Sequence, residues 1–382
     1  MTASDLLKLI PSQTFRDLAI ETKVDLQVKK LSGEIMFKLI LFSMLNSEKL
    51  SLRVMETFLH SAQFKSFSQF DILDGKYNSI RDRICTINAD YFENLFKKIY
   101  SIYSKELKEE TALSKADSTS ISIAAKLLTN GIATGGPNRK LVKYSVNLKG
   151  SIPSSVKVFT AQSYNCDEPA LTELINESDN QERGVVVFDR GLKARSAYDK
   201  FTNDGRLFVS RTEPNSRCKA AESQTITNKP EGSTVTLHSE VRGYLISKMQ
   251  KHSQHEYRII KGFIDKSGGP ICFVTNIFDE DPYVIAAWYR QRWEIEVFFK
   301  FIKQHLNAKH LVSRDVNGIK VMLYMTMILA TLLIAYKKIN RIAGLKIAKL
   351  KFELELENDI IKAIVLLCGG DPARAAHLFN ST

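Results

Sequence analysis

The segment Tyr289-Arg-Gln-Arg-Trp-Glu-Ile-Glu-Val-Phe-Phe-Lys-Phe-Ile-Lys303 places four chemically different side chains at helical spacing. At about 100° per residue, one narrow side of a helix would hold Tyr289, Arg292, Glu296 and Lys303. Glu294 would lie on the opposite side. A row that mixes a phenol, a guanidinium, a carboxylate and an ammonium is unusual for a core-facing side. It predicts a surface that binds something anionic beside one carboxylate.

The positive charge of the chain is concentrated in and just after this segment. The 382 residues have a formal net charge of +12. Residues 289–350 hold 12 Lys and Arg against three acidic residues, whereas residues 1–110 are nearly neutral, with 16 basic and 15 acidic residues. The local excess favours a polyanion as partner. With 44% apolar and 25% charged residues, the composition is otherwise that of an ordinary soluble protein.

The cysteines and the hydropathy of the chain argue against a secreted protein and against a membrane protein. The five cysteines are scattered, odd in number and not at zinc-site spacing, which favours reduced thiols in a cytosolic protein. The start MTASDLLKLIPSQTF lacks the basic region and long apolar run of a signal peptide. The apolar run 321–336 is shorter than the roughly 20 residues of a membrane-spanning helix. We therefore expect a helix that is buried on all sides.

Hydrophobic periodicity divides the chain into a helical part and an α/β part. Residues 1–108 show apolar positions at 3–4 spacing, which predicts a small helical domain. After residue 111 the pattern predicts β-β-β-α-β-α-β, with strands at 116–123, 141–148, 156–160, 184–188 and 207–211 and helices at 167–177 and 192–201. The run 184–188 is apolar throughout, as expected of a strand buried on both faces.

The remaining residues predict a β-rich insertion and further helices. A polar stretch after 213 leads to strand-like segments at 234–246, 257–264 and 271–276, so the insertion spans about 213–280. Asp281 followed by Pro282 is a good helix start for the segment quoted above. The predicted domains are thus 1–108, a catalytic domain at 109–340, and a C-terminal helical region at 341–382.

Two aspartates occupy positions that favour chemistry. Asp189 follows the apolar strand 184–188, and the carboxyl ends of strands are where α/β sheets present functional groups. Asp117 stands in a strand-like stretch, where aspartate is disfavoured. Each one alone is more readily explained by structure, Asp189 by a turn and Asp117 by an edge strand or a turn. Together with Glu296 they form three hard oxygen donors on rigid elements, which suit Mg²⁺ or Mn²⁺. Two such ions about 3.5–4 Å apart can hold the attacking and leaving oxygens of a phosphodiester.

The segment 289–303 resembles the helix signature of the IS4-type DDE transposases. That signature is tyrosine, two residues, arginine, three residues, glutamate, six residues and lysine, and it matches Tyr289, Arg292, Glu296 and Lys303. The family's two aspartates would be Asp117, in ADST, and Asp189, in VVVFDRG. A β-rich insertion between the second aspartate and the glutamate is also a trait of this family. The resemblance covers roughly residues 110–340.

The resemblance implies a fold and a division of labour. The fold would be α/β: an RNase H-like mixed-sheet core with a β-rich insertion, preceded by an all-helical domain and followed by C-terminal helices. Asp117, Asp189 and Glu296 would bind two Mg²⁺ or Mn²⁺ ions, which activate water and later a DNA 3′-hydroxyl. Tyr289, Arg292 and Lys303 would hold phosphates of the element's end.

Four further residues are candidates for contact with DNA, and each has an alternative interpretation. Trp293 could stack on an unpaired base, or be a core aromatic residue that contacts the insertion. Arg190 and Arg211 follow strands at the sheet edge and could contact DNA. Lys300 is a DNA-backbone contact or a solvated charge.

Three functions are compatible with these residues. The first is a transposase that binds terminal inverted repeats, cuts the element ends and joins their 3′ ends to target DNA. The second is a metal-dependent nuclease that lacks strand transfer. The third is a non-catalytic DNA-binding descendant, which the complete set of three carboxylates disfavours. The family further implies a homodimer that synapses two ends, with residues 341–382 as the candidate surface, and a bacterial cytoplasmic location at the nucleoid.

Overall fold

The computed structural model describes residues 1–70, 74–108, 113–124, 131–134, 136, 138–177, 184–192, 194–246, 251–306 and 312–375. Its contacts divide the chain into two compact units. We call residues 1–109, 122–130 and 300–382 the helical unit, and residues 110–121 and 131–299 the sheet unit.

The helical unit begins with the predicted run of helices. In the described residues before the sheet these are α1 (Ala3–Lys8), α2 (Ser12–Thr22), α3 (Gly33–Asn46), α4 (Leu52–Leu59), α5 (Ala62–Ser68), α6 (Tyr77–Thr86) and α7 (Ala89–Glu106). The hydroxyl groups of Ser32, Ser51 and Ser61 accept hydrogen bonds from backbone amides in the first turns of α3, α4 and α5. Such caps satisfy amide groups that have no partner within the helix, so these serines define where the helices begin.

The described residues of the sheet unit form ten strands in one hydrogen-bonded sheet. Its first part holds β1 (Leu113–Ala124), β2 (Ile132–Ala133), β3 (Arg139–Lys149), β4 (Ile152–Phe159), α8 (Asp167–Glu177), β5 (Val185–Phe188), α9 (Arg195–Asn203) and β6 (Leu207–Arg211). The strand order is β2-β3-β1-β5-β6, and β4 pairs with β3. β1, β5 and β6 are parallel to each other, whereas β3 and β4 are antiparallel. The predicted mixed α/β core is therefore confirmed.

The strand β5 is buried on both faces, as predicted. Val185 and Val187 belong to one hydrophobic cluster, and Val186 and Phe188 belong to another. Apolar side chains on both faces are what a central parallel strand requires. This burial fixes the end of β5, and with it the position of the next residue, Asp189.

The predicted insertion consists of strands that extend the central sheet. They are β7 (Cys218–Thr225), β8 (Val235–Ile246), β9 (His252–Ile264) and β10 (Pro270–Thr275), and β10 pairs with β6 in an antiparallel manner. The order then continues β9-β8-β7 to the sheet edge. The strand β7 was missed because its sequence, CKAAESQT, is largely polar. An edge strand can be polar, since its stability comes from pairing with one neighbour.

The segment 289–303 does not form one helix, which corrects the prediction. The chain forms α10 (Pro282–Gln291) and then α11 (Trp293–His305). At the junction, the amide of Arg292 donates to the carbonyl oxygen of Tyr289, and the amide of Ile295 donates to that of Arg292. These three-residue hydrogen bonds tighten the backbone at Arg292. The angles of an ideal helix therefore hold within α10 and within α11, but not across Arg292.

The last helices belong to the helical unit. α12 (Val316–Ile339) packs against α7 and α13 (Leu345–Leu367), and α13 also packs against α1 and α5. In the described residues, α12 is the helix that is long and apolar enough to cross a membrane, and 94% of its most apolar window is buried within the protein. The sequence predicted that this helix is buried, but it did not predict that the helix belongs to the helical unit. The predicted boundary at 340 gave α12 to the catalytic domain, whereas an all-round apolar helix needs the surrounding helices to cover it.

Candidate active site

The paired strands β1 and β5 bring Asp117 and Asp189 side by side. Ala116 is the register partner of Phe188, so the next residue on each strand is an aspartate. Neighbouring strands lie about 4.8 Å apart, and equivalent positions in a parallel pair face the same side of the sheet. The two aspartates that the sequence singled out, 72 residues apart in the chain, are therefore neighbours at the carboxyl end of this pairing.

Tyr289 connects Asp189 to α10. Its hydroxyl group donates a hydrogen bond to Oδ1 of Asp189 at 3.2 Å. Only 8% of Tyr289 is exposed, and its ring lies against Phe273 with 5.4 Å between centroids. Burial raises the pKa of Tyr289 to about 12. The phenol thus stays protonated near neutral pH and remains a hydrogen-bond donor to the carboxylate.

Arg292 lies between the other two carboxylates. Its guanidinium group forms a close ion pair with Glu296 and lies 3.5 Å from Oδ2 of Asp117. The side chain is only 12% exposed and stacks over the ring of Tyr289 at 5.8 Å. Burial lowers the pKa of Arg292, but the hydrogen bond to Glu296 and the nearby Tyr289, Asp189 and Glu296 together outweigh it, so that the net change in the pKa is a rise. One permanently charged group therefore contacts two carboxylates.

The side chain of Asp117 is 21% exposed, against 35% for that of Glu296. Burial raises the pKa of Asp117 to about 6, although the backbone amide of Ser118 and the guanidinium of Arg292 oppose the shift and Asp189 adds to it. The amide of Ser118 donates to Oδ1 at 2.7 Å. A carboxyl group that titrates near pH 6 in a cluster of like charges is a typical feature of a functional site.

Glu294 and Glu296 form ion pairs with different basic residues. Glu294 accepts a hydrogen bond at 2.8 Å from Nζ of Lys115, whose side chain is only 3% exposed. Nζ of Lys115 also donates to the carbonyl oxygen of Gly150 at 2.5 Å. Glu296 instead meets Arg292, which also contacts Asp117. Lys115 was not singled out from the sequence because a lysine in a strand gives no signal of burial.

The secondary DNA candidates lie in different places. Arg190, which is exposed, and Arg211 line a cavity beyond the ends of β5 and β6. Trp293 is 63% exposed, so the interpretation as a core aromatic residue was wrong. Lys300 is exposed and Lys303 is half-buried, and both lie farther along α11, in the part that belongs to the helical unit.

The oxygen atoms of these carboxylates are suitable ligands for a hard divalent cation. The three side chains, however, do not converge on one point where such an ion could bind. Carboxylate oxygens are the donors that Mg²⁺ and Mn²⁺ prefer. Among the described residues, no three His, Cys, Asp or Glu side chains converge to hold a metal ion. The guanidinium of Arg292 contacts both Asp117 and Glu296. A cation held by these two carboxylates would therefore compete with Arg292 for them.

Comparison with known proteins identifies the family. Residues 144–333 match the transposase DDE domain. This region of the chain belongs to the DDE transposases. It includes Asp189, Tyr289, Arg292 and Glu296, and begins after Asp117.

Two curated relatives are named as transposases of insertion sequences. The one for IS5377 from Geobacillus stearothermophilus is 25% identical over 261 residues, which are 67% of this chain and 66% of the relative. The one for IS4SA from Synechocystis sp. is 27% identical over 247 residues, which are 63% of this chain and 64% of the relative. The match thus spans just under two thirds of the length of each relative.

The chain is also similar to a solved structure. It is a cryo-EM structure of a piggyBac transposase synaptic complex with hairpin DNA. The TM-score is 0.48 at 10% sequence identity, with 95% of this chain and 82% of that chain covered.

Proposed function

We propose that this DDE transposase binds the terminal repeats of an insertion sequence, cleaves the DNA at the element ends and joins the 3′ ends to target DNA. The observation that carries the proposal is the joined cluster of Asp117, Asp189 and Glu296 with Tyr289 and Arg292. Three carboxylates from two strands and a helix meet one phenol and one guanidinium, a combination that suits phosphoryl transfer better than a structural ion pair.

In this proposal the carboxylates hold divalent cations and the neighbouring donors hold DNA. Asp117, Asp189 and Glu296 are the ligands of Mg²⁺ or Mn²⁺, as the family membership suggests. When bound, the ions supply charge stabilisation for in-line displacement at phosphorus. Arg292 and the hydroxyl of Tyr289 then turn to phosphate oxygens, since a fork of guanidinium donors pairs with phosphate as well as with carboxylate. Lys303 contacts a further phosphate of the DNA backbone.

The units receive separate roles in the same proposal. Helices α1–α7 contact the element ends, and residues 341–382 contribute to a homodimer that holds two ends together. The partner is double-stranded DNA at both the element ends and the target, and we expect the protein at the nucleoid of a bacterial cytoplasm. The named insertion-sequence relatives support this, and the IS4 group is the subdivision that the Tyr289–Lys303 signature favours.

The decisive test is cleavage of element-end DNA by Glu296→Gln. We expect Mg²⁺-dependent cleavage to be lost while end binding, measured by fluorescence anisotropy, stays within about threefold of wild type, because the substitution removes charge but little volume. Glu222→Gln, on the exposed strand β7, is the matched control and should cleave normally. Unchanged cleavage in Glu296→Gln would falsify the assignment.

A second assay separates a transposase from a nuclease. Element ends that already have a free 3′-hydroxyl are incubated with a supercoiled target plasmid, and joined products are counted. The proposal expects joining by the wild type and none by Glu296→Gln. Cleavage without joining would show a nuclease instead. Lys303→Ala should reduce the slope of log affinity against log salt by about one.

A further inference from the structure

A buried ion pair joins two strands of the insertion in the sheet unit. Nη2 of Arg258, on β9, donates to Oε2 of Glu240, on β8, at 2.7 Å. The two side chains are 4% and 6% exposed. Two charges removed from water together add little to stability, and an apolar pair of similar volume often serves as well or better. The pair therefore calls for a role other than stability.

The same guanidinium group also holds the segment that leads into α10. We call residues 277–281, between β10 and α10, the entry loop. Nη1 of Arg258 donates to the carbonyl oxygen of Glu280 and, at 3.4 Å, to that of Ile277. One planar group with donors in a fixed fork thus fixes two points of the loop that are three residues apart.

A second arginine, Arg242 of β8, holds the entry loop at a third point. Its Nη2 donates to the carbonyl oxygen of Phe278 at 3.2 Å, and its guanidinium lies over the ring of Phe278 at 5.6 Å. Arg242 and Arg258 are register partners on neighbouring strands, where like charges are unfavourable. Glu240 offsets both, since Nε of Arg242 also donates to it at 3.4 Å.

The first turn of α10 is attached to the same strands. The helix is capped by Asp281, whose side chain accepts from the amide of Tyr283. The hydroxyl oxygen of Tyr283 accepts in turn from the amide of Leu237, on β8, at 3.2 Å. Strands β8 and β9 therefore determine where α10 begins and in which direction it runs.

The direction of α10 decides whether Tyr289 can reach Asp189. Tyr289 follows Tyr283 by six residues, which is about 9 Å along a helix. Its hydroxyl group donates to Asp189 at 3.2 Å, close to the upper limit for a hydrogen bond. A small tilt of α10 at the entry loop would therefore break this contact.

We propose that Arg258, together with Glu240, is a positioning residue that directs α10 so that Tyr289 meets Asp189. The pair contacts neither the carboxylates nor DNA in this role and acts through Tyr289. Its consequence for cleavage rests on the proposed function. Its consequence for the position of α10 does not, and the two are measured separately.

Trp288 reports on α10 without DNA. It stands next to Tyr289 and packs against the same hydrophobic cluster. The chain has two tryptophans, so Trp293→Phe leaves Trp288 as the single fluorophore. Quenching of its fluorescence by acrylamide measures how firmly this part of α10 is packed.

The variant must remove both charges of the pair. Arg258→Met alone leaves the carboxylate of Glu240 buried with only the longer contact to Arg242, and is expected to fold poorly. Glu240→Leu/Arg258→Met leaves no unpaired carboxylate and should fold. In the Trp293→Phe background we expect acrylamide to quench Trp288 about twofold faster in this double variant. Unchanged quenching in the folded double variant would overturn the proposal.

A second ion pair of the insertion supplies the matched control. Nζ of Lys229 lies 2.9 Å from Oδ2 of Asp265, and both also bond to Thr236. Lys229→Met/Asp265→Leu removes this pair and should leave the quenching of Trp288 as in the parent. A rise equal to that in Glu240→Leu/Arg258→Met would contradict a specific role of Arg258.

A double-mutant cycle tests whether the pair acts through Tyr289. In single-turnover cleavage of element-end DNA, Glu240→Leu/Arg258→Met should be about tenfold slower than wild type. Tyr289→Phe removes the hydroxyl group and keeps the ring. In that background the same two substitutions should slow cleavage by less than about twofold, because the contact is already lost. A second tenfold loss would contradict action through Tyr289.

The two readouts distinguish this inference from the proposed function. Faster quenching of Trp288 in Glu240→Leu/Arg258→Met, with a wild-type protein that does not cleave DNA, would refute the proposed function alone. Normal cleavage by the wild type, with cleavage and quenching unchanged in the folded double variant, would refute the positioning role alone.

Discussion

The ammonium group of Lys115 lies 2.8 Å from the carboxylate of Glu294, and each of these residues stands two positions before a proposed metal ligand. Lys115 precedes Asp117 on β1, and Glu294 precedes Glu296 on α11. The ion pair therefore holds the strand and the start of the helix at a fixed offset, and Arg292 repeats the connection between Asp117 and Glu296. We infer that Lys115 is a positioning residue for the carboxylate cluster.

Removal of Glu294 should destabilise the protein. Glu294→Ala leaves the buried ammonium of Lys115 with the carbonyl oxygen of Gly150 but no counter-charge, which we expect to cost about 1–3 kcal/mol in the free energy of unfolding. Urea unfolding measures it. Lys115→Met should cost less, because the Glu294 side chain is already 53% exposed and can be solvated.

The double variant Lys115→Met/Glu294→Ala separates stability from positioning. Its stability should return towards that of Lys115→Met, since no buried charge remains. Cleavage should stay reduced, because of the two connections described above only that of Arg292 then remains between β1 and α11. If cleavage recovers together with stability, the pair has no positioning role. The pairing also makes Glu294 a poor neutral control for Glu296.

The raised pKa of Asp117 predicts a pH-dependent effect on stability. A carboxyl group with a folded-state pKa of about 6 and an ordinary value of 3.8 favours folding in its protonated form. That contribution is complete below pH 3.8 and is lost as the pH rises through 6. Asp117→Asn should therefore be more stable than wild type at pH 7, by about 3 kcal/mol at most, with little difference at pH 4.

Unfolding of both proteins by urea from pH 4 to pH 7, in EDTA, checks this. The difference between them isolates Asp117 from the other groups that titrate. A difference that does not grow between pH 4 and pH 7 would show that Asp117 is solvated. Asp279→Asn, at an exposed position after β10, serves as a carboxylate control.

Arg292 should oppose metal binding and favour DNA binding. Its guanidinium contacts both Asp117 and Glu296 and competes with a cation for them. Arg292→Ala should therefore bind Mn²⁺ about tenfold more tightly, which corresponds to about 1.4 kcal/mol. Isothermal titration calorimetry measures the affinity without DNA. The same variant should bind element-end DNA more weakly. Arg290→Ala, at an exposed position of α10, is the control for metal affinity. Weaker Mn²⁺ binding by Arg292→Ala would contradict the competition.

Local sequence patterns predicted most helices and strands. The features that they did not predict depend on contacts between residues far apart in the sequence. The strand 184–188 could be predicted because its continuous apolar run reflects burial on both faces, and Asp189 followed from its end. Neither the tightened backbone at Arg292 nor the pairing of β10 with β6 has a local signature. The burial of Lys115 depends on Glu294, 179 residues away. The hydrogen bonds from Arg258 to the carbonyl oxygens of Ile277 and Glu280 likewise depend on how the strands pair.

The exposure of Trp293 predicts opposite effects for the two tryptophans of the chain. Trp293 is 63% exposed, so Trp293→Ala should change the free energy of unfolding by less than about 0.5 kcal/mol. Trp288 packs against the hydrophobic cluster around Phe273 and Tyr289, and Trp288→Ala should cost about 1–3 kcal/mol.

For DNA affinity we expect the opposite order, with a larger loss for Trp293→Ala than for Trp288→Ala. If Trp293 stacks on an unpaired base, Trp293→Ala should lose about 1–3 kcal/mol of affinity for element-end DNA with one unpaired nucleotide, and little for the fully paired duplex. Anisotropy with both DNAs measures the difference, and Trp288→Ala provides the control at a temperature where it is folded. An equal loss on the two DNAs would assign Trp293 to the DNA backbone, because stacking requires a base that has left its partner.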